Sequence, residues 1–128
     1  VRDHIEHNAF AQTVTDALAS EFAHDPPRFM ARTPHGYHDL SIIARDLANG
    51  GWRNGAQFDT LTYRSRAASA RDVAIAYCQG TPLRNEIEAR AAQRLQQVTE
   101  RAAAAIAQRF GSGPVDGKIQ AHVVTITH

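Results

Sequence analysis

The feature that most constrains this chain is the stretch at residues 118–127. Val123, Thr125 and Thr127 alternate there with His122, Val124 and Ile126, so an extended strand carries apolar groups on both faces. Such a strand belongs in the middle of a sheet, with cover above and below. The rest of the chain must therefore supply neighbouring strands and helices to pack on them. Residues 57–66, with Phe58, Thr60, Leu61, Thr62 and Tyr63, are the clearest second strand. Residues 1–5 read as the end of a third.

The helical segments announce themselves by caps and breakers. Asn8 is a favourable N-cap ahead of Phe10, Val14, Ala17, Leu18 and Phe22, whose spacing predicts a helix over 9–22. His24-Asp25-Pro26-Pro27 stops it, because proline cannot continue the backbone ladder. Residues 28–38 are expected to be irregular or briefly extended. Asp39 caps the next helix, where Leu40, Ile43, Ala44 and Leu47 share a face and Gly50-Gly51 ends it. Ser69 with Asp72 forms a capping box for a helix to about residue 79. Gly80 breaks that helix, and Thr81-Pro82 opens a helical region over 82–110 with Pro at its first position. That span is long for a globular helix, which predicts a break near 90–93. Its apolar stripe is Leu83, Ile87, Leu95, Val98, Ala102, Ile106 and Phe110. Residues 111–117 are rich in turn formers.

Bulk properties narrow the function classes. The chain has 128 residues, one domain's worth. With 14 basic and 13 acidic residues the net charge is +1, which gives no electrostatic argument for nucleic acid or an anionic membrane. Cys78 is the only cysteine, so no intramolecular disulfide forms, as in a reducing cytoplasm. No apolar run reaches the roughly 18 residues of a membrane span. The 82–110 stripe has neither a strict heptad nor a basic polar face, against a coiled coil or a membrane-surface helix. The start at Val1-Arg2-Asp3-His4, without a leader or an initiator Met, predicts a fragment, a processed chain or a piece of something longer.

Several clusters carry chemistry. His35, Tyr37, His38 and Asp39 surround Gly36 on one irregular segment; two imidazoles and a phenol there can orient a polar substrate or move a proton, or else pack locally beside a helix cap. Tyr77 and Gln79 end a helix ahead of Gly80 and are candidates for a pocket wall. Cys78 between them reads as a small buried hydrophobe rather than a nucleophile. Arg64 and Arg66 are either a solvated strand end or an anion site. His4, Glu6 and His7 lack the spacing of a helix-borne zinc motif, so no metal site is expected.

Four words in order carry a resemblance. Val1-Arg2-Asp3-His4-Ile5-Glu6-His7-Asn8 resembles the Val-Trp-Asp-Arg-Ile-Glu-Asp-Asn segment of a group of bacterial class I S-adenosylmethionine-dependent methyltransferases. Asp25-Pro26-Pro27-Arg28-Phe29-Met30-Ala31-Arg32-Thr33-Pro34-His35-Gly36-Tyr37-His38-Asp39 is similar to that group's Pro-Pro-Arg-Phe and Thr-Pro-His-Gly-Tyr-His-Asp. Ala76-Tyr77-Cys78-Gln79-Gly80-Thr81-Pro82-Leu83-Arg84 and Gly113-Pro114-Val115-Asp116-Gly117-Lys118-Ile119-Gln120-Ala121 resemble two more of its signatures. Arg2 departs from an aromatic, and His4 and His7 from an Arg and an Asp.

The resemblance implies the carboxy-terminal half of a seven-stranded Rossmann-like domain. The expected unit is an α+β fragment with a short, mostly antiparallel sheet of three strands and four to five helices. Residues 118–127 would lie between 1–5 and 57–66, and residues 69–110 would be a helical insertion between the last two strands. The implied activity is methyl transfer from S-adenosylmethionine to a small-molecule acceptor, with His35, Tyr37, His38, Tyr77 and Gln79 on the acceptor side. The glycine-rich turn and the ribose-binding carboxylate that hold this cofactor in such folds have no counterpart here. No cofactor binding is therefore expected of the chain alone. An uncovered strand edge and apolar helix faces predict a homodimer, or association with an amino-terminal half. The rival reading is a noncatalytic binding or assembly module.

Overall fold

The computed structural model describes residues 1–52 and 54–127. Its fold is α+β. Helix α1 spans Ala9–Glu21, a single-turn α2 spans Phe29–Arg32, and α3 spans Leu40–Asn49. Strand β1 (Gln57–Ala67) follows, then α4 (Ala70–Gly80), α5 (Leu83–Ala91), α6 (Leu95–Phe110) and strand β2 (Val115–Thr125).

Local chemistry sets most of these boundaries. Asp39 accepts the Ser41 N–H at the start of α3, and Gly51, at φ +95°, lets the chain leave its end. Ser69 Oγ accepts the Asp72 N–H at the start of α4. The break in 82–110 falls at a turn of 3-10 helix, Ala92–Arg94.

β1 and β2 pair antiparallel, from Gln57 opposite Thr125 to Ala67 opposite Val115. On the other edge of β2, Arg2 bridges Ala121, also antiparallel. The expected sheet of three strands is thus a sheet of two. Residues 1–3 hold β2 through His122 N–H to Val1 O (2.7 Å) and Asp3 N–H to Gln120 O (3.0 Å), but the chain turns into a 3-10 helix at Ile5–His7 before a strand can develop. The spatial order is nevertheless residues 1–3, β2, β1.

Three other expectations need correction. Residues 28–38 contain the helical turn α2, held because the Arg28 N–H and the Arg32 guanidinium both reach Glu86 on α5, at 3.1 and 3.2 Å. Asn8 stands at the N-cap of α1 without making the capping bond. Its amide nitrogen instead donates to the Asp3 and His4 carbonyls, and its oxygen accepts the Gln120 N–H at 3.1 Å. Ile43 is the one residue of α3 that is buried. The last strand starts three residues early, and it is not covered on both sides: Val123 is 45% exposed.

The reason lies in where the core sits. Phe10, Val14 and Leu18 of α1 pack with Val73, Ala74 and Cys78 of α4, Leu83 and Ile87 of α5, and Val98, Ala102 and Ile106 of α6. Ala74 and Ala102 are fully buried at the α4–α6 contact, where small side chains let the helices approach closely. Each large aliphatic so buried contributes roughly 1.5–3 kcal/mol relative to exposure. This helical layer covers only one end of one sheet face, at Ala67, Val115 and Gly117, the last of which lies under the Phe10 ring. Further along the same face Leu61, Tyr63 and Val123 emerge from cover. Among the described residues no helix is long and apolar enough to cross a membrane.

Candidate functional site

Where the helical layer ends, a cavity of about 270 Å³ opens on the sheet. Leu61, Tyr63 and Ser65 of β1 and Ile119 and Ala121 of β2 form its floor, these residues alternating onto one face as strand geometry requires. Arg2, Asn8, His35, Tyr77 and Gln120 form the rest of the wall.

His35 is the best-defined polar group in it. The ring is buried, and Nδ1 lies 2.8 Å from the Asp3 carbonyl oxygen. Its backbone N–H donates to Met30 O at 3.0 Å, so the segment after α2 is anchored at both ends of this residue. Burial lowers the His35 pKa below the ordinary histidine range, and the nearby charges of Arg2 and His4 add to that, outweighing the Asp3 carbonyl, which raises it. The ring is therefore neutral at pH 7. Its Nε2 is buried and has no hydrogen-bond partner among the described residues.

Asp3 is the hub that orients His35. Its carbonyl receives both the His35 ring and the Asn8 amide, while its side chain points to the opposite sheet face. There Gln120 Nε2 donates to Asp3 Oδ2 at 2.6 Å, and His122 Nε2 lies 3.1 Å from Asp3 Oδ1. His122 Nδ1 is 2.8 Å from Thr60 Oγ1. A carboxylate only accepts, so His122 Nε2–H donates to Asp3, while Nδ1 and the Thr60 hydroxyl share the second hydrogen bond. Burial alone would raise the Asp3 pKa, but the hydrogen bonds from Gln120 and the His4 N–H, with His122 beside them, hold it below the ordinary range.

The residues singled out from sequence part company here. His35 and Tyr77 line the cavity together. Tyr77 is half-buried, and burial raises its phenol pKa. Tyr37 is exposed on the loop, where its hydroxyl donates to Asp46 Oδ2 at 2.6 Å. His38 packs edge-on against His4 with ring centroids 4.6 Å apart. Gln79 turns the other way along α4 and donates to Thr99 Oγ1 at 3.2 Å. Cys78 is fully buried, and burial pushes its thiol up to about 11. Arg64 and Arg66 both pair with Asp116, at 2.7 and 3.3 Å. Among the described residues no three His, Cys, Asp or Glu side chains gather as metal ligands would.

Sequence reasoning missed Arg2, Asn8 and Asp3 as parts of the site. Only Arg2 carried a signal, as a charged residue at a position where the resembled segment has an aromatic. A second cavity, lined by Met30, Pro34, Tyr77 and Pro82 among others, also meets Arg2. Chemically, the arrangement offers an apolar floor, a neutral buried imidazole and the basic residue Arg2 in the lining of one small-molecule-sized hollow.

No protein-family model matches the chain. No curated protein matches it either.

Proposed function

We propose that this chain is the acceptor-side, carboxy-terminal part of a class I S-adenosylmethionine-dependent methyltransferase. The observation that carries the reading is the strand order. β2 runs antiparallel to neighbours on both edges, residues 1–3 and β1, as the last strand of that fold does between the fifth and sixth. The helices between β1 and β2 stand where such folds carry an insertion that shapes the acceptor site.

The role of these residues is to bind and position the acceptor. The cofactor, bound by an upstream half, would supply an electrophilic methyl group, and holding two reactants in line is most of what such a reaction needs. Leu61, Ile119 and Ala121 give the acceptor an apolar surface to lie on, and neutral His35 in the wall would take a proton as the acceptor's oxygen or nitrogen is alkylated. The proposed family uses a cofactor that the described residues do not themselves cradle, since among them no glycine-rich turn joins the end of a strand to the start of a helix.

The test is the protein encoded by the whole reading frame that contains this segment. A glycine-rich strand–turn–helix upstream of Val1, with transfer of labelled methyl from S-adenosylmethionine, is the expected result. An upstream sequence without that element, and no transfer, would remove the proposal and leave the assembly-module reading.

A further inference from the structure

One edge of the sheet is left open. On the far side of β2, Asp3 N–H donates to Gln120 O, His122 N–H to Val1 O, and the Val1 amino group to His122 O. Gln120 N–H donates to Asn8 Oδ1 on that same side. The backbone groups of Gln120 and His122 therefore face away from β1. Gln120 stands opposite Thr62, and His122 opposite Thr60. Where two opposed residues of an antiparallel pair do not bond each other, both turn their N–H and C=O outward. Thr60 and Thr62, and by alternation Phe58, Arg64 and Arg66, thus aim theirs at the outer edge of β1. Among the described residues no further strand lies on that edge.

β1 carries none of the devices that usually protect such an edge. It runs regularly for 11 residues without a proline, glycine, lysine or bulge, where a typical strand has roughly five or six. Its two arginines are already held by Asp116, at 2.7 and 3.3 Å. Leu61 and Tyr63, 37% and 61% exposed, carry the apolar floor of the cavity out to the rim of the sheet.

We propose that β1 pairs antiparallel with β1 of a second copy of this chain, across a two-fold axis through Thr62. The result is a continuous sheet in the order β2, β1, β1, β2. Thr62 is the midpoint of Gln57–Ala67, so this register overlaps the whole strand. Every outward residue then meets an outward residue: Thr62 meets itself, Thr60 meets Arg64, and Phe58 meets Arg66, for about ten backbone hydrogen bonds. On the cavity face, Leu61 of each copy lies opposite Tyr63 of the other, an aromatic–aliphatic pair, and Asp59 lies opposite Ser65. No like charges oppose each other. A slip of one residue sets outward groups against inward ones and turns every side chain to the other face. Moving the axis to Arg64 puts two guanidinium groups opposite each other, and moving it to Asp59 does the same with two carboxylates. This self-matching over the full strand selects a second copy over an extended segment of another protein. The inference stands apart from the methyltransferase reading, because the upstream strands proposed there join on the opposite edge, beyond residues 1–3.

A charge swap at the axis tests this. Thr62 is exposed, so Thr62→Lys and Thr62→Glu leave the core untouched, and circular dichroism melts verify that each variant is folded. Sedimentation equilibrium gives the dimer dissociation constant of the unaltered chain, of each variant alone, and of the two variants mixed one to one. The unaltered chain should reach twice 14.0 kDa at tens of micromolar protein. Each variant alone sets like charges opposite each other and should weaken the dimer, and the mixture, which sets opposite charges there, should bind about fivefold or more tighter than either alone. Position 62 meets itself in this register only, so that recovery reads the register as well as the surface. A monomer of the unaltered chain, including one that captures an extended segment of another protein, would overturn the inference. So would undiminished association of both single variants, or weakened variants whose mixture shows no recovery.

Discussion

Gly36 decides whether His35 can sit where it does. A Cβ added there would fall on the Arg32 carbonyl oxygen, 2.8 Å from the Arg32 carbonyl carbon and 3.1 Å from the Ala31 carbonyl oxygen. These are backbone atoms of α2, not a side-chain tip that can swing away. α2 is itself fixed, by buried Met30 beneath it and by Glu86, which accepts from the Arg28 N–H and the Arg32 guanidinium. In Gly36→Ala the segment after α2 must therefore open. Opening breaks the His35 N–H bond to Met30 O and the His35 Nδ1 bond to Asp3 O. Overpacking strain costs about 1–3 kcal/mol. The two hydrogen bonds add about 1 kcal/mol each. The stiffer unfolded chain returns about 0.4–1 kcal/mol. The net is a destabilisation of about 2–5 kcal/mol. Urea denaturation followed by circular dichroism measures it, with the His35 ring resonances reporting the displacement. Gly55→Ala, where an added Cβ meets nothing within 4 Å, is the control and should change stability by less than about 1 kcal/mol. Wild-type stability and unmoved His35 resonances in Gly36→Ala would refute the reasoning.

Gly117→Ala should cost about 1–3 kcal/mol, because the new Cβ would stand 2.9 Å from Cε1 of the Phe10 ring, itself confined by Phe110 at 4.9 Å. Adding Phe10→Leu should recover part of the loss, and additive costs in a double-mutant cycle would contradict that contact. Asp3 has a folded pKa below its unfolded value of about 3.9. The folded state therefore binds its proton less readily, and the stabilisation is complete above that value and lost as pH falls through the folded pKa. Asp3→Asn should flatten the acid limb of the stability profile below about pH 4, and an unchanged limb would show that another group governs it. The outer edge of β1 and the exposed Leu61, Tyr63 and Val123 predict self-association at tens of micromolar protein, so light scattering should give a mass above 14.0 kDa. A clean monomer would show that this face tolerates water.

Much of the fold was legible because its signals are local. Ser69, Asp39 and the Gly50-Gly51 pair mark helix ends whatever lies around them, and the break near residue 92 follows from length alone. What stayed hidden depends on distant partners. Asn8 looks like a cap in sequence, but the carbonyls of Asp3 and His4 and the N–H of Gln120 compete for its amide and win. α2 forms because Glu86 on α5 reaches back to it. The apolar alternation of 118–127 describes a strand made for cover on two faces, but it does not say which face the described helices reach. For the candidate site, His35 and Tyr77 were recognisable as polar groups on a loop and a helix end. That they meet over β2 while Tyr37, His38 and Gln79 turn elsewhere is decided by packing around Asp3 and Thr99.

The central claim concerns the cofactor, and calorimetric titration with S-adenosylmethionine tests it most directly. Two proteins are compared: residues 1–128, and the product of the whole reading frame that contains them. The account predicts saturable binding in the micromolar range or tighter for the longer protein and no measurable heat for residues 1–128. Absence of binding by the longer protein, or tight binding by a monomer of residues 1–128, would contradict it.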